Sequence, residues 1–184
     1  LITLMRVLLT TATLFISFDT FALSIISLQQ GVNNIDLNND GLTDYVLVAQ
    51  YDNNKSHPSD TITFYVQKPE GGFSIVPSIV EGEFSYFSLS LSGSNVMISG
   101  LSLVRNGTEV YFTTADKSVI SAYDKHPIHY SFYQLLENDD HPGVPLYQWY
   151  KVSSASSNQP YLSVEESFKE LEKLSLVIQK ISSD

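Results

Sequence analysis

The chain has no cysteine, which excludes a disulfide, a thiol nucleophile and a lipid-modified N-terminal cysteine. Basic residues are scarce: 10 Lys and Arg stand against 20 Asp and Glu, a net charge of −10. That sign argues against nucleic acid or an anionic lipid surface as partner. Only four histidines occur, and His126 and His129, the tightest pair, would face opposite sides of a strand. They make a poor start for a shared metal site. No Ser-x-x-Lys or Gly-x-Ser-x-Gly is present, so no hydrolase motif supports an enzyme, although a Ser–His–carboxylate group can assemble from distant positions. No internal repeat occurs, which argues against a propeller. No apolar run reaches the roughly 20 residues of a comfortable membrane span.

What is present fits one domain. The 184 residues are 43% hydrophobic and 12% aromatic, enough for a sizeable core. The sequence opens on Leu1, and Met5 is the other candidate start. Arg6 precedes an apolar run over 7–18, and Thr20 and Ala22 supply small residues at −3 and −1. This pattern predicts a secretory signal peptide over 1–22, cleaved after Ala22, and a periplasmic or secreted mature protein without a stable membrane anchor. A retained anchor or a buried N-terminal helix is the competing interpretation.

Residues 36–44 read Asp-Leu-Asn-Asn-Asp-Gly-Leu-Thr-Asp. Asp36, Asn38, Asp40 and Asp44 fall at alternate loop positions, Gly41 sits where such a loop turns sharply, and Leu42 can offer its carbonyl. Oxygens aimed at one centre suit a hard cation, so Ca²⁺ is the expected cofactor. Leu47 stands where an EF-hand has its bidentate carboxylate, and 45–49 look like strand rather than helix. The prediction is a shortened calcium loop feeding a β-strand. A metal-free Asn/Asp/Gly turn is the alternative.

Strand patterns recur over 23–30, 43–50, 61–67, 73–79, 83–91, 96–104, 108–114 and 144–152, the last holding the sole tryptophan, Trp149. Residues 31–35 lead into the acidic loop, 51–60 form a breaker-rich loop, 130–136 are apolar but of unassigned type, and 153–159 read as a polar linker. Asn106-Gly107 predicts the two central residues of a type I′ hairpin turn. Near the C-terminus, Ser163 and Glu166 predict a capping box. Val164, Phe168, Leu171, Leu174, Ile178 and Ile181 then align on one face of a helix over about 163–181. The expected fold is mainly β, with antiparallel sheets packed sandwich-like and a C-terminal α-helix, in a single domain over 23–184. The helix's apolar face is expected to pack on the sheet, with a homodimer or partner surface as the alternative.

The stretch 32–46 resembles the CarG-like family of carbapenem self-resistance proteins. The likeness continues through the loop ending at His57, through 63–66, and more weakly through Tyr147-Gln148-Trp149, Tyr161 and 164–168. It covers about a fifth of the chain, and 70–145 match nothing in that pattern. The resemblance implies an exported, non-enzymatic protein that confers intrinsic resistance to carbapenem antibiotics. Its partner would be the carbapenem or the drug's periplasmic target, and it implies a role for Asn53 and His57 beside the calcium loop. Lys55 departs from the family's expected second Asn. The residues alone leave open a secreted calcium-stabilised adhesion or carbohydrate-binding module, whose aromatic strands would offer a stacking surface.

Overall fold

The computed structural model describes residues 23–52, 54, 56–91, 94–118, 123–138 and 142–174. The proposed signal segment, Asn53 and the helical positions beyond Leu174 lie outside the described residues. Among the described residues eleven strands form two antiparallel sheets. A five-stranded sheet is built from β2 (Gly31–Ile35), β3 (Asp44–Tyr51), β4 (Ser59–Gln67) and β5 (Phe73–Val76) in that order, with β6 (Tyr86–Phe87) added to β4. A six-stranded sheet runs β1 (Ser24–Ile26), β8 (Met97–Asn106), β9 (Glu109–Lys117), β10 (Ile128–Glu137) and β11 (Tyr147–Ser156), with β7 (Leu89–Ser90) added to β8.

Alternation along the strands places the core. In β3 and β4, Val46, Val48, Ile62, Phe64 and Val66 point inward and are buried. They meet Leu103, Val110, Phe112, Leu135, Tyr147 and Trp149 from the other sheet. Both faces of β9 are covered. Val110 and Phe112 face the five-stranded sheet, whereas Tyr111 and Ala115 join Val104, Ile128, Tyr130 and Phe132 beneath the C-terminal segment. The layers are therefore sheet, sheet and a short helical cover, a sandwich with one added layer.

Residues 83–91 show no clean face in sequence because they belong to two sheets. Tyr86-Phe87 pair with Ile62 and Thr61, and Leu89-Ser90 pair with Ser99 and Met97. Ser88 marks the crossing: its N–H donates to the Asp60 carbonyl at 2.9 Å, and its Oγ accepts from the Asp60 N–H at 2.9 Å.

Several expectations are corrected. Residues 31–35 are a strand and not a lead-in, the first strand is only Ser24–Ile26, and β11 runs through most of the expected linker to Ser156. The hairpin turn is displaced by one residue. Asn106 pairs with Glu109, so Gly107 and Thr108 are central, and only Gly107 has φ > 0, at 62°. That is the demand of a II′ turn, which a β-branched second residue tolerates and a I′ turn would not.

Among the described residues the C-terminal segment is not the continuous α-helix that its apolar periodicity suggests. An α-turn over Val164–Ser167 passes into a 3₁₀ stretch over Phe168–Lys173. Ser167 Oγ donates to the Val164 carbonyl at 2.6 Å, the acceptor that the Phe168 N–H would use in an α-helix. Phe168 N–H instead bonds to Glu165 O, the i−3 pattern that tightens the turn. The expected packing holds, since Val164 and Leu171 are fully buried against the six-stranded sheet. The capping box does not form: Ser163 makes no side-chain cap bond, and its Oγ accepts from Met97 N–H at 3.1 Å. Ser163→Ala is therefore expected to cost about 1 kcal/mol through the lost cross-link to β8. Glu166→Gln should stay within about 0.5 kcal/mol. Urea unfolding of the two variants checks the contrast.

Candidate functional site

The acidic loop joins β2 to β3. Ile35 and Leu37, on either side of Asp36, are buried and anchor it to the core. Gly41 takes φ 84°, as the sharp turn requires, and Asn39 also enters the left-handed region at φ 61°. Asp36 closes the loop from its start: Oδ2 accepts from Gly41 N–H at 2.9 Å and Oδ1 from Asp40 N–H at 3.2 Å. Asp40 Oδ1 accepts from Leu42 N–H at 2.7 Å, and its Oδ2 accepts from the Asn38 amide at 2.9 Å.

Asp44 plays a different part. It is fully buried, and its carboxylate ties two segments together. Oδ2 accepts from Leu37 N–H and Oδ1 from Gln67 N–H, each at 2.8 Å. Burial raises its pKa above the ordinary carboxylate value, opposed by these two hydrogen bonds, with the charges of Asp40 and Asp36 adding to the rise. Asp44 thus clamps the loop onto the end of β4.

The donors of this loop fit a hard cation in kind, because they are all oxygen ligands. Among the described residues no three His, Asp or Glu side chains converge as a metal-holding group. Asp36, Asn38, Asp40 and the Leu42 carbonyl are the residues that would hold an ion. Asp44, fully buried where Asp36, Asn38 and Asp40 are not, would act through the loop's shape.

His57 is not brought to this loop. It lies after β3, whereas the acidic loop lies before it, and the strand's length puts the two loops on the order of 20 Å apart. His57 is half-buried and makes no hydrogen bond or ion pair among the described residues. The other histidine of interest is His129, which stands opposite Asp116 on β9 and Ser156 on β11. Its Nδ1 is 3.0 Å from Ser156 Oγ, but Asp116 accepts from Ser99 Oγ at 2.8 Å and makes no hydrogen bond to His129. Spacing along the chain gives no hint of this row, because only strand register creates it.

The outer face of the five-stranded sheet carries Val32, Tyr45, Leu47, Tyr65, Phe73 and Ile75, which line a shallow depression of about 510 Å³. Tyr45 and Phe73 stack there with ring centroids 4.7 Å apart.

With this geometry in place, the comparisons with known proteins converge. The family described as "Carbapenem resistance protein CarG-like" matches residues 28–170. The chain belongs to the CarG-like family. Its match runs through 70–145, the stretch that the sequence motifs leave unassigned. The crystal structure of CarG superposes with a TM-score of 0.76 at 36% sequence identity, covering 80% of this chain and 94% of that one. No curated protein matches the chain. The chain is thus a carbapenem-resistance-related protein of mostly antiparallel β structure.

Proposed function

We propose that this protein acts outside the cytoplasm to protect the cell from carbapenems without hydrolysing them, with residues 36–44 serving as a calcium-type stabilising loop. The observation that carries this proposal is the likeness to CarG at 36% identity over 80% of the chain. The leader pattern over 1–22 supports export. Non-enzymatic action is supported by the arrangement at His129, where the carboxylate that would orient the imidazole is bonded to Ser99 instead.

The test is carbapenem susceptibility of a sensitive bacterium expressing the full chain or a copy lacking 1–22. Protection by the full chain alone is expected. Equal protection by both copies would overturn export, and loss of the intact drug on incubation with purified protein would overturn the non-enzymatic proposal.

The loop has its own test. A cation that binds only the folded state stabilises it by about 2.7 kcal/mol at a hundredfold excess over Kd. Calcium is therefore expected to raise the melting temperature relative to chelator, and the Asp36→Ala, Asp40→Ala double variant should lose that increment. Equal melting in both conditions would leave residues 36–44 as a metal-free turn.

A further inference from the structure

We infer that the open half of the six-stranded sheet's inner face binds a short oligosaccharide, laid across β8, β9, β10 and β11. Such a ligand adds to the resistance proposal, and its binding does not rest on it.

This face changes character along its strands. Strand register sets Leu103, Phe112 and Tyr133 side by side, and Phe112 is fully buried against the five-stranded sheet. Two residues further along, on the same face, stand Leu101, Thr114, Ser131 and Ser154. The next row is Ser99, Asp116, His129 and Ser156. Leu101 is the one apolar side chain in these two rows, and Asp116, His129, Ser154 and Ser156 are exposed. A sandwich core calls for apolar residues on its inner faces, so this half is not built to be covered by the partner sheet.

A β-bulge adds a cation to the same face. Phe132 pairs with Ser153 and Tyr133 with Lys151, so Val152 is left out of the register. Val152 joins the buried cluster on the far side, and Lys151 turns onto the open face beside Ser131 and Ser154. Without the bulge Val152 would stand there; bulges re-aim side chains in this way.

Two cavities lie on this floor, of about 330 and 340 Å³, and Ser131 lines both. Each falls within the roughly 300–1,000 Å³ range of small-molecule sites. Ile79, Glu83 and Ser85 wall the side nearer β8 and β9. Three inter-strand spacings, about 14 Å, separate β8 from β11, a length that suits a short chain of rings better than one ring.

The side chains point to a sugar. The hydroxyls of Thr114, Ser131 and Ser154 make no hydrogen bond among the described residues, and each can both donate and accept. Sugar hydroxyl and acetamido groups are matched in kind. Asp116 Oδ1 accepts from Ser99 Oγ at 2.8 Å, which leaves Oδ2 for a ligand donor. Charges of both signs face the trough, Glu83 and Asp116 towards β9 and Lys151 with His129 towards β11. That division disfavours a ligand carrying one strong charge. Tyr133, half-buried with its ring 6.0 Å from Phe112, closes the apolar end and offers ring surface to sugar C–H groups. β8, β9 and β10 are paired on both sides, so an extended peptide finds no strand edge on this floor.

The experiment titrates the purified protein with chitotetraose and with cellotetraose and follows backbone amides in ¹H–¹⁵N spectra. Saturable shifts are expected at Thr114, Ser131 and Ser154, and none at Tyr45 or Phe73 on the outer face of the other sheet. Tighter binding of chitotetraose would assign its acetamido N–H to Asp116. Ser131→Tyr fills the floor shared by the two cavities with a residue that suits a strand, so it should fold as the parent does and bind roughly tenfold more weakly. Lys151→Ala, at an exposed position, should weaken binding severalfold. Amides that stay still at millimolar concentrations of both sugars in a folded sample overturn the inference. So do shifts confined to the outer face, or a Ser131→Tyr variant with the parent's affinity. A tetra-alanine peptide that moves the trough amides when neither sugar does would overturn the ligand class. Carbapenem protection is scored separately, so a protein that protects cells and binds no sugar loses only this site.

Discussion

Phe112→Ala is expected to cost about 3–5 kcal/mol, a large share of the roughly 5–15 kcal/mol that holds a domain folded. Phe112 is fully buried on β9 and stands at the junction of the two sheets. Its ring lies 5.2 Å from Phe64 and 4.2 Å from Tyr86 on the five-stranded side, and 5.5 Å from Trp149 on its own sheet. Truncation removes the ring's transfer energy and leaves a cavity that two hydrogen-bonded sheets cannot collapse to fill. Phe112→Leu keeps most of the volume and should lose less than about 2 kcal/mol. Phe87 provides the control. It is about half exposed on the outer surface, and its alanine variant should stay within about 0.5 kcal/mol. Urea unfolding of the three variants orders them. A loss at Phe112 no larger than that at Phe87 would mean that the sheets do not share one core.

The second large effect is expected at Asp44. Asp44→Ala strips acceptors from the buried N–H of Leu37 and the partly buried N–H of Gln67, each worth about 1–3 kcal/mol when left unpaired. The total of about 2–6 kcal/mol is offset in part by relief of a buried carboxylate, whose raised pKa reports that burial disfavours the charge. Asp44→Asn relieves the same charge and keeps one acceptor oxygen, so it should cost less than alanine. Denaturant midpoints give the order. Amide exchange at Leu37 and Gln67 shows whether the loss is local, since both protons should become labile in the alanine variant. If Asp44 served only as an exposed metal ligand, neither proton would change in chelator.

The acidic loop was legible in the sequence because its demands are local. Gly41 must turn and Ile35 and Leu37 must bury, and a nine-residue window contains all of this. The strands were legible in type, because 45–49 form a short apolar run and 61–66 are rich in β-branched and aromatic residues. The misread places share one cause: their conformation is set by distant partners. Ser163 looks like a helix cap until Met97, far away in sequence, claims its oxygen. Residues 83–91 read as one untidy strand because the sequence does not announce a change of sheet at Ser88. Family resemblance alone puts His57 beside the acidic loop, yet β3 separates them. Spacing along the chain likewise does not say that Pro77 and Ile79 lie close to Gln148 and Trp149.

The order in which the strands enter the sheets has a consequence for how the chain reaches its folded state. Strands β2 to β6 form one sheet from a continuous stretch, and β7 to β11 form nearly all of the other. Only β1 breaks this rule, since Ile26 must wait for Leu103. Closing that long loop carries more entropy cost than any hairpin in the molecule. A chain that emerges N-terminus first therefore makes β1 long before its partner exists, while the five-stranded sheet can already assemble. The docking of β1 becomes a late step that seals the free edge of β8, and pulling on the N-terminus should detach it first.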